Sequence, residues 1–205
     1  MRKKIIGYFR PCDLLTMTGT AFAVTGIFLA LNGYALYSVF CLIISAICDA
    51  FDGKLASLHK SDKMQKSYGI ELDSLSDIVS FGVAPVVIAA CTVNCTFITY
   101  IFFAFYVLCG VIRLAYYNAI AINKPEDNDH FLGVPITAVA IFFPLIWLLS
   151  YYVEWIHFNF GLFFLIMGLL FIIPIRIKKL NLLGKILLSV AGIVFIGFLL
   201  FIVLG

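Results

Sequence analysis

The chain has 205 residues, 63% of them hydrophobic and only 12% charged, well above the roughly 45–50% apolar usage of soluble domains. With a mean hydropathy of +1.10, this composition excludes an ordinary soluble globular domain. The net charge of +3 comes from basic residues clustered in a few connections, so it is no sign of a nucleic-acid partner.

A helix that crosses a bilayer needs about 20 mostly apolar residues. Taken in chain order, such windows predict an all-α, polytopic transmembrane bundle of seven spans (six to eight), about 14–31, 35–57, 68–93, 97–122, 132–153, 158–175 and 182–204. Connections of a few residues leave no stretch for a separate soluble domain, so residues 1–205 read as one integral-membrane domain. Met1-Arg2-Lys3-Lys4 ahead of the first span superficially resembles a signal peptide. No small-residue cleavage site leads from it into a mature soluble domain, and the span reads as a retained helix.

Short loops rich in Lys and Arg stay in the cytoplasm. Arg2, Lys3, Lys4 and Arg10 precede the first span, Lys60, Lys63 and Lys66 lie between the second and third, and Lys124 lies between the fourth and fifth. Arg176, Lys178, Lys179 and Lys185 mark the junction of the sixth and seventh, whereas the connections at Asn32-Gly33, Asn94-Cys95 and Glu154-Trp155 carry no basic residue. The expectation is a multi-pass protein of the cell membrane with a cytoplasmic N-terminus. The six cysteines and three histidines (His59, His130 and His157) lack the spacing of a zinc site, and the cysteines read as small packing residues.

Of the eleven acidic residues, Asp49, Asp52, Glu71, Asp73 and Asp77 fall on the second and third predicted spans, within the 29 residues from 49 to 77. A carboxylate at mid-membrane depth costs about 2.5–3.5 kcal/mol on insertion scales, and such groups face a bundle interior or a wet cavity. At about 100° per residue, Asp49 and Asp52 share an arc with Gly53 and Ala56. On the next span Gly69, Asp73 and Asp77 are spaced by four and share a face, while Glu71 points away. Two helices thereby present four carboxylates and three small residues to each other. Oxygen-only ligands favour Mg²⁺, Mn²⁺ or Ca²⁺, and the small residues leave space for a bulky phosphate or diphosphate beside the metal.

Asp49-Ala-Phe-Asp52-Gly53-Lys-Leu-Ala56, followed by Gly69-Ile-Glu-Leu-Asp73-Ser-Leu-Ser-Asp77, resembles the CDP-alcohol phosphatidyltransferase signature, DxxDGxxAR…GxxxDxxxD. The continuation Asp77-Ile-Val-Ser-Phe-Gly-Val-Ala-Pro, then Arg113-Leu-Ala-Tyr-Tyr-Asn118, Gly133-Val-Pro-Ile-Thr-Ala and Ile175-Arg-Ile-Lys178, is similar to the branch of that family that uses serine. The resemblance implies transfer of the phosphatidyl group of CDP-diacylglycerol to the hydroxyl of L-serine within the membrane, giving phosphatidylserine and CMP. It assigns Asp49, Asp52, Asp73 and Asp77 to Mg²⁺ or Mn²⁺, and makes Asp77 the general base as well. It assigns Gly53, Ala56 and Gly69, and with them the motif position held by Ser57, to CDP-diacylglycerol, with Lys60 taken as a further candidate contact, and it implies a cytoplasmic active site and a homodimer. Arg113, a basic residue well inside a predicted span, has two available partners, the carboxylate of bound serine or one of the aspartates. Asn118 fits either serine binding or an interhelical hydrogen bond. Ser57 stands where the family usually has Arg, and the stretch from there to Gly69 is about three residues longer than usual, which leaves Lys54, Lys60, Lys63 and Lys66 as candidate diphosphate contacts. Other acceptors, glycerol phosphate or inositol phosphate, are the alternative within the family. Many transporters show an internal repeat, and nothing in residues 130–205 echoes the acidic window.

Overall fold

The computed structural model describes residues 6–58, 61–123, 130–152 and 158–178, and these form a helical bundle. Helix α1 runs over Asp13–Leu31, α2 over Ala35–Leu58, α3 over Lys63–Asp77, α4 over Ala84–Thr92, α5 over Phe97–Asn123, α6 over Val139–Tyr152 and α7 over Phe160–Ile172. Among the described residues, four stretches are long and apolar enough to cross a membrane: Asp13–Leu31, Ala35–Leu58, Lys63–Thr92 and Phe97–Ile120. The apolar helices near the fifth and sixth predicted spans are shorter, Ile136–Tyr151 and Phe160–Ile172. The predicted seventh span, with Arg2–Lys4, Lys60, Lys124, Lys179, Lys185, His59 and His157, lies outside the described residues.

Two predicted boundaries move, each for a local reason. Hydropathy starts the third span at residue 68, yet its helix begins at Lys63 because Asp62 caps it. The Asp62 side chain accepts from the Gln65 backbone N–H (2.7 Å), and the Gln65 side chain accepts from the Asp62 N–H (3.2 Å); this capping box satisfies two donors that the first turn leaves open. Lys63 and Lys66 are therefore helical, not loop, residues. Hydropathy starts the fifth span at residue 132, but His130–Leu132 forms a strand, β1, antiparallel to β2 over Arg176–Lys178. Gly133 turns the chain with a left-handed φ of +74°, a conformation that favours glycine. Its N–H and that of Val134 bond to the carbonyls of Ile175 and Leu170 (2.8 and 3.0 Å), so regular helix starts only after Pro135.

Helix α1 lies against α2 along a stripe of small residues. Its buried positions are Asp13, Thr16, Gly19, Ala23, Gly26 and Ala30. A Cβ at Gly19 would come within 3.0 Å of the Cys48 Cβ, and one at Gly26 within 3.0 Å of the Ser38 carbonyl. Small side chains let backbones approach in membrane bundles, where packing replaces the hydrophobic drive of water. Helices α5 and α7 meet through aromatic rings: Tyr106 and Phe103 stand edge-on to Phe164 at 4.8 and 5.2 Å between centroids. Cys12, Cys41, Cys48 and Cys109 are buried free thiols, as a packing role predicts, whereas Cys91 is exposed and Cys95 half-buried.

Between α3 and α4 the helix does not stop but widens into a π segment over Ile78–Val83. Pro85 lacks the N–H that would bond to the carbonyl four residues back, that of Phe81. The buried Tyr106 hydroxyl of α5 donates to that carbonyl instead, at 2.5 Å. Tyr106→Phe keeps the ring and removes the donor, and a buried carbonyl left unpaired costs about 1–3 kcal/mol. A drop of several degrees in the apparent Tm of the detergent-solubilised variant is expected; an unchanged melting curve would show that this bond is not needed.

Candidate functional site

The site is built at one end of α1, α2 and α3. Asp49 and Asp52 come from α2, Asp73 and Asp77 from α3, and α1 adds Thr16. Asp52 is 5% exposed and accepts a 2.5 Å hydrogen bond from the Thr16 hydroxyl. Asp49, Asp52 and Asp73 each bring one carboxylate oxygen to within 4.8 Å of the other two. Three anionic oxygens at this separation, with no His or Cys among them, have the chemistry of a hard divalent-cation site. Asp77 falls outside that trio and is within hydrogen-bond reach of Asp49.

A cavity of about 480 Å³ opens beside the trio, lined by both helices and by the start of α1. Asp52 and Asp73 line it, and so do Gly53, Ala56, Ser57 and Gly69. Four of the five residues expected to bind the nucleotide are thereby brought together; the fifth, Lys60, lies outside the described residues. Lys66 lines the cavity, whereas Lys54 and Lys63 do not. The Ser57 hydroxyl donates to the Lys54 carbonyl of its own helix at 2.7 Å. A small polar pocket behind the cavity is lined by Asp49, Asp52, Asp77, Ser45, Ser76 and Ser80 among others.

The two glycines of the acidic window face different surroundings. A Cβ at Gly53 would meet nothing within 4 Å, whereas one at Gly69 would collide with Nη2 of Arg10. Arg10 precedes α1 and is tied to Asp13 in its first turn: Nε and Nη2 donate to Oδ1 at 3.1 and 2.8 Å, and the Arg10 backbone N–H donates to Oδ2 at 2.8 Å. The hydrogen bond to Asp13 raises the guanidinium above its ordinary pKa, so Arg10 is a permanent cation. Sequence reasoning missed Thr16, Asp13 and Arg10. The available signal was Arg10, Asp13 and Thr16 at steps of three, a polar face leading into an apolar helix.

Arg113 and Asn118 on α5 line neither cavity. Arg113 is buried, with its guanidinium 4.6 Å from the centre of the Tyr117 ring, and it feels the charge of Asp77. Asn118 bridges to α3: its side-chain oxygen accepts from Ser74 (2.7 Å) and its amide donates to Glu71 (3.1 Å). The interhelical role open to Asn118 in the sequence is the one these bonds describe.

The family profile for CDP-alcohol phosphatidyltransferase matches residues 11–173. An archaetidylserine synthase of Methanothermobacter thermautotrophicus is 29% identical over 154 residues, 74% of this chain and 64% of the relative. A CDP-diacylglycerol–serine O-phosphatidyltransferase of Helicobacter pylori is 33% identical over 80% of this chain and 70% of its own length. The Saccharomyces cerevisiae protein of that name is 35% identical over 53% of this chain, and the match covers 40% of that relative.

The oxygen trio is tested directly by metal binding. Mn²⁺ titrated into the purified protein and followed by its EPR signal is expected to bind, and Asp52→Asn to abolish or severely weaken that binding. Thr16→Val removes only the donor that orients Asp52, and loss of such a partner typically weakens metal binding about 10–100-fold. Wild-type Mn²⁺ affinity in both variants would show that the trio holds no ion.

Proposed function

Because this chain belongs to the CDP-alcohol phosphatidyltransferase family, we propose that it transfers the phosphatidyl group of CDP-diacylglycerol to the hydroxyl of L-serine, forming phosphatidylserine and releasing CMP. The observation that carries the reading is the convergence of Asp49 with Asp52 and Asp73, the latter two lining a cavity that Gly53 leaves open. The serine acceptor rests on the names of the relatives matched over most of this chain.

The acidic trio would hold Mg²⁺ or Mn²⁺, which when bound offsets the diphosphate charge and polarises the phosphorus under attack. Gly53, Ala56 and Ser57 line the volume for the nucleotide, with Lys60 in the connection after α2. Asp77 reaches the trio through Asp49 and takes the proton of the serine hydroxyl as general base. The hydroxyl oxygen then forms a bond to the lipid-side phosphorus while the bond from that phosphorus to the bridging diphosphate oxygen breaks, and the electron pair leaves with CMP. Arg113, within the electrostatic reach of Asp77, supplies the cation for the serine carboxylate. Asn118 acts through its bonds to Glu71 and Ser74, which fix α5 against α3. The same reading takes residues 1–205 as one domain of a homodimer in the cell membrane, with its N-terminus and site on the cytoplasmic side.

Two experiments address the reading. Purified protein given CDP-diacylglycerol, Mn²⁺ or Mg²⁺ and labelled serine is expected to release CMP and form labelled phosphatidylserine, and chelation by EDTA to stop it. Turnover with glycerol phosphate or inositol phosphate and none with serine would move the protein to another branch. Asp77→Asn is expected to lower kcat at least about 100-fold, the lower range of general-base contributions, while CDP-diacylglycerol still binds. Equal losses of turnover and binding would make Asp77 a ligand for the cation with no separate role as base.

A further inference from the structure

Ser57 leaves the nucleotide cavity without the arginine that the family signature carries at that position. A diphosphate in a low-dielectric site needs a counter-charge besides the metal, and a guanidinium suits it because its fork donates two hydrogen bonds to phosphate oxygens at once. Among the described residues only Arg10 and Lys66 bring a cationic side chain to the cavity wall. Lys66 is on the exposed surface of α3. Arg10 is partly buried, its side chain 12% exposed.

The placement of Arg10 is a built one. Asp13 grips it through three hydrogen bonds, and both of its side-chain bonds go to a single carboxylate oxygen. A guanidinium has five N–H donors, so the bonds to Asp13 leave three of them without a partner among the described residues. Nη2 occupies the space a side chain at position 69 would fill. The absence of a side chain at Gly69 is therefore used by Arg10, where the sequence alone suggested room for the nucleotide. Arg10 and Asp73, one of the trio, line the same cavity, and the guanidinium feels the charge of that carboxylate.

We propose that Arg10, seated on Gly69 and held by Asp13, is the guanidinium that grips the diphosphate of the lipid nucleotide in place of the arginine this chain lacks at position 57. Asp13 is its positioning residue and Gly69 its seat. This assignment rests on the proposed use of CDP-diacylglycerol and adds to it the residue that recognises the phosphates.

Binding of CDP-diacylglycerol in detergent micelles, measured by isothermal titration calorimetry without serine, separates the two claims. If the wild-type protein binds no CDP-diacylglycerol, the functional reading fails; if it binds and Arg10→Ala binds within twofold of it, only the role of Arg10 fails. The expected result is an affinity at least tenfold weaker for Arg10→Ala, with Arg10→Lys in between because it keeps the charge but not the fork. In the steady state the KM for CDP-diacylglycerol should rise by a similar factor while the KM for serine stays within twofold, a split that a merely structural latch between Arg10 and Asp13 would not produce. Gly69→Ala should weaken binding on its own by displacing the guanidinium, yet add nothing in the Arg10→Ala background. A further loss in that double variant would mean that Gly69 faces the ligand, and would overturn the assignment. Arg10→Ala/Ser57→Arg, which returns a guanidinium to the family position, is expected to recover most of the lost affinity; no recovery would likewise count against the proposal.

Discussion

Placing carboxylates inside an apolar bundle is unfavourable unless each one is given donors or a cation, and this constraint organises the cavity end of the protein. Asp52, nearly inaccessible, receives the Thr16 hydroxyl. Asp13, equally buried, receives Arg10. Asp49 and Asp77 lie within hydrogen-bond reach of each other, an arrangement that two anions tolerate only with a proton or a cation between or beside them. Every donor in the first two pairs comes from α1 or the residues just before it. The accommodation of Asp52 on α2 therefore depends on how closely α1 approaches.

That approach is set by side-chain size. Gly19 and Gly26 put the α1 backbone against Cys48 and Ser38 of α2, and Thr16, one turn before Gly19, comes within 2.5 Å of Asp52. Larger residues along this stripe would separate the helices and withdraw the hydroxyl from the carboxylate. Packing and site chemistry are one feature here. Helix α3 is fixed in a similar way from its other sides: Ser74 and Glu71 bond to Asn118 of α5, and the π segment that begins right after Asp77 is closed by Tyr106. A π turn adds a residue to the helix and so rotates the facing of the residues beyond it. Asp73 and Asp77 keep the spacing of four that puts them on one face, while Pro85 and the buried Ala84 and Ile88 beyond the widened turn pack into the core.

Much of this is legible in the residues. Spacings of three and four in the acidic window identify which carboxylates share a face, and the apolar windows locate four long spans and two shorter helices. The legible part is the part governed by periodicity within one helix. Thr16 is not legible as a partner of Asp52 because the two are 36 positions apart, and a lone threonine in an apolar helix has many roles. The late start of the helix after Pro135 is hidden for a different reason. Val, Ile and Phe around Gly133 read as continuous hydropathy, and only the backbone bonds to the end of α7 reveal a turn and a strand there. In the same way the lysines at 63 and 66 have the look of loop residues until the capping box at Asp62 draws them into α3.

The two glycines of the acidic window differ in the same respect. Spacing assigns Gly53 and Gly69 to the faces that bear the aspartates. It does not identify what lies over each glycine. At Gly53 the space is open and available to a ligand; at Gly69 it is occupied by a guanidinium from another segment. A phosphate requires a fork of donors at a given place, and any segment whose backbone passes near enough can supply it. An arginine absent from α2 and an arginine present ahead of α1 are then two solutions to one electrostatic requirement, joined through a glycine that makes the second solution sterically possible.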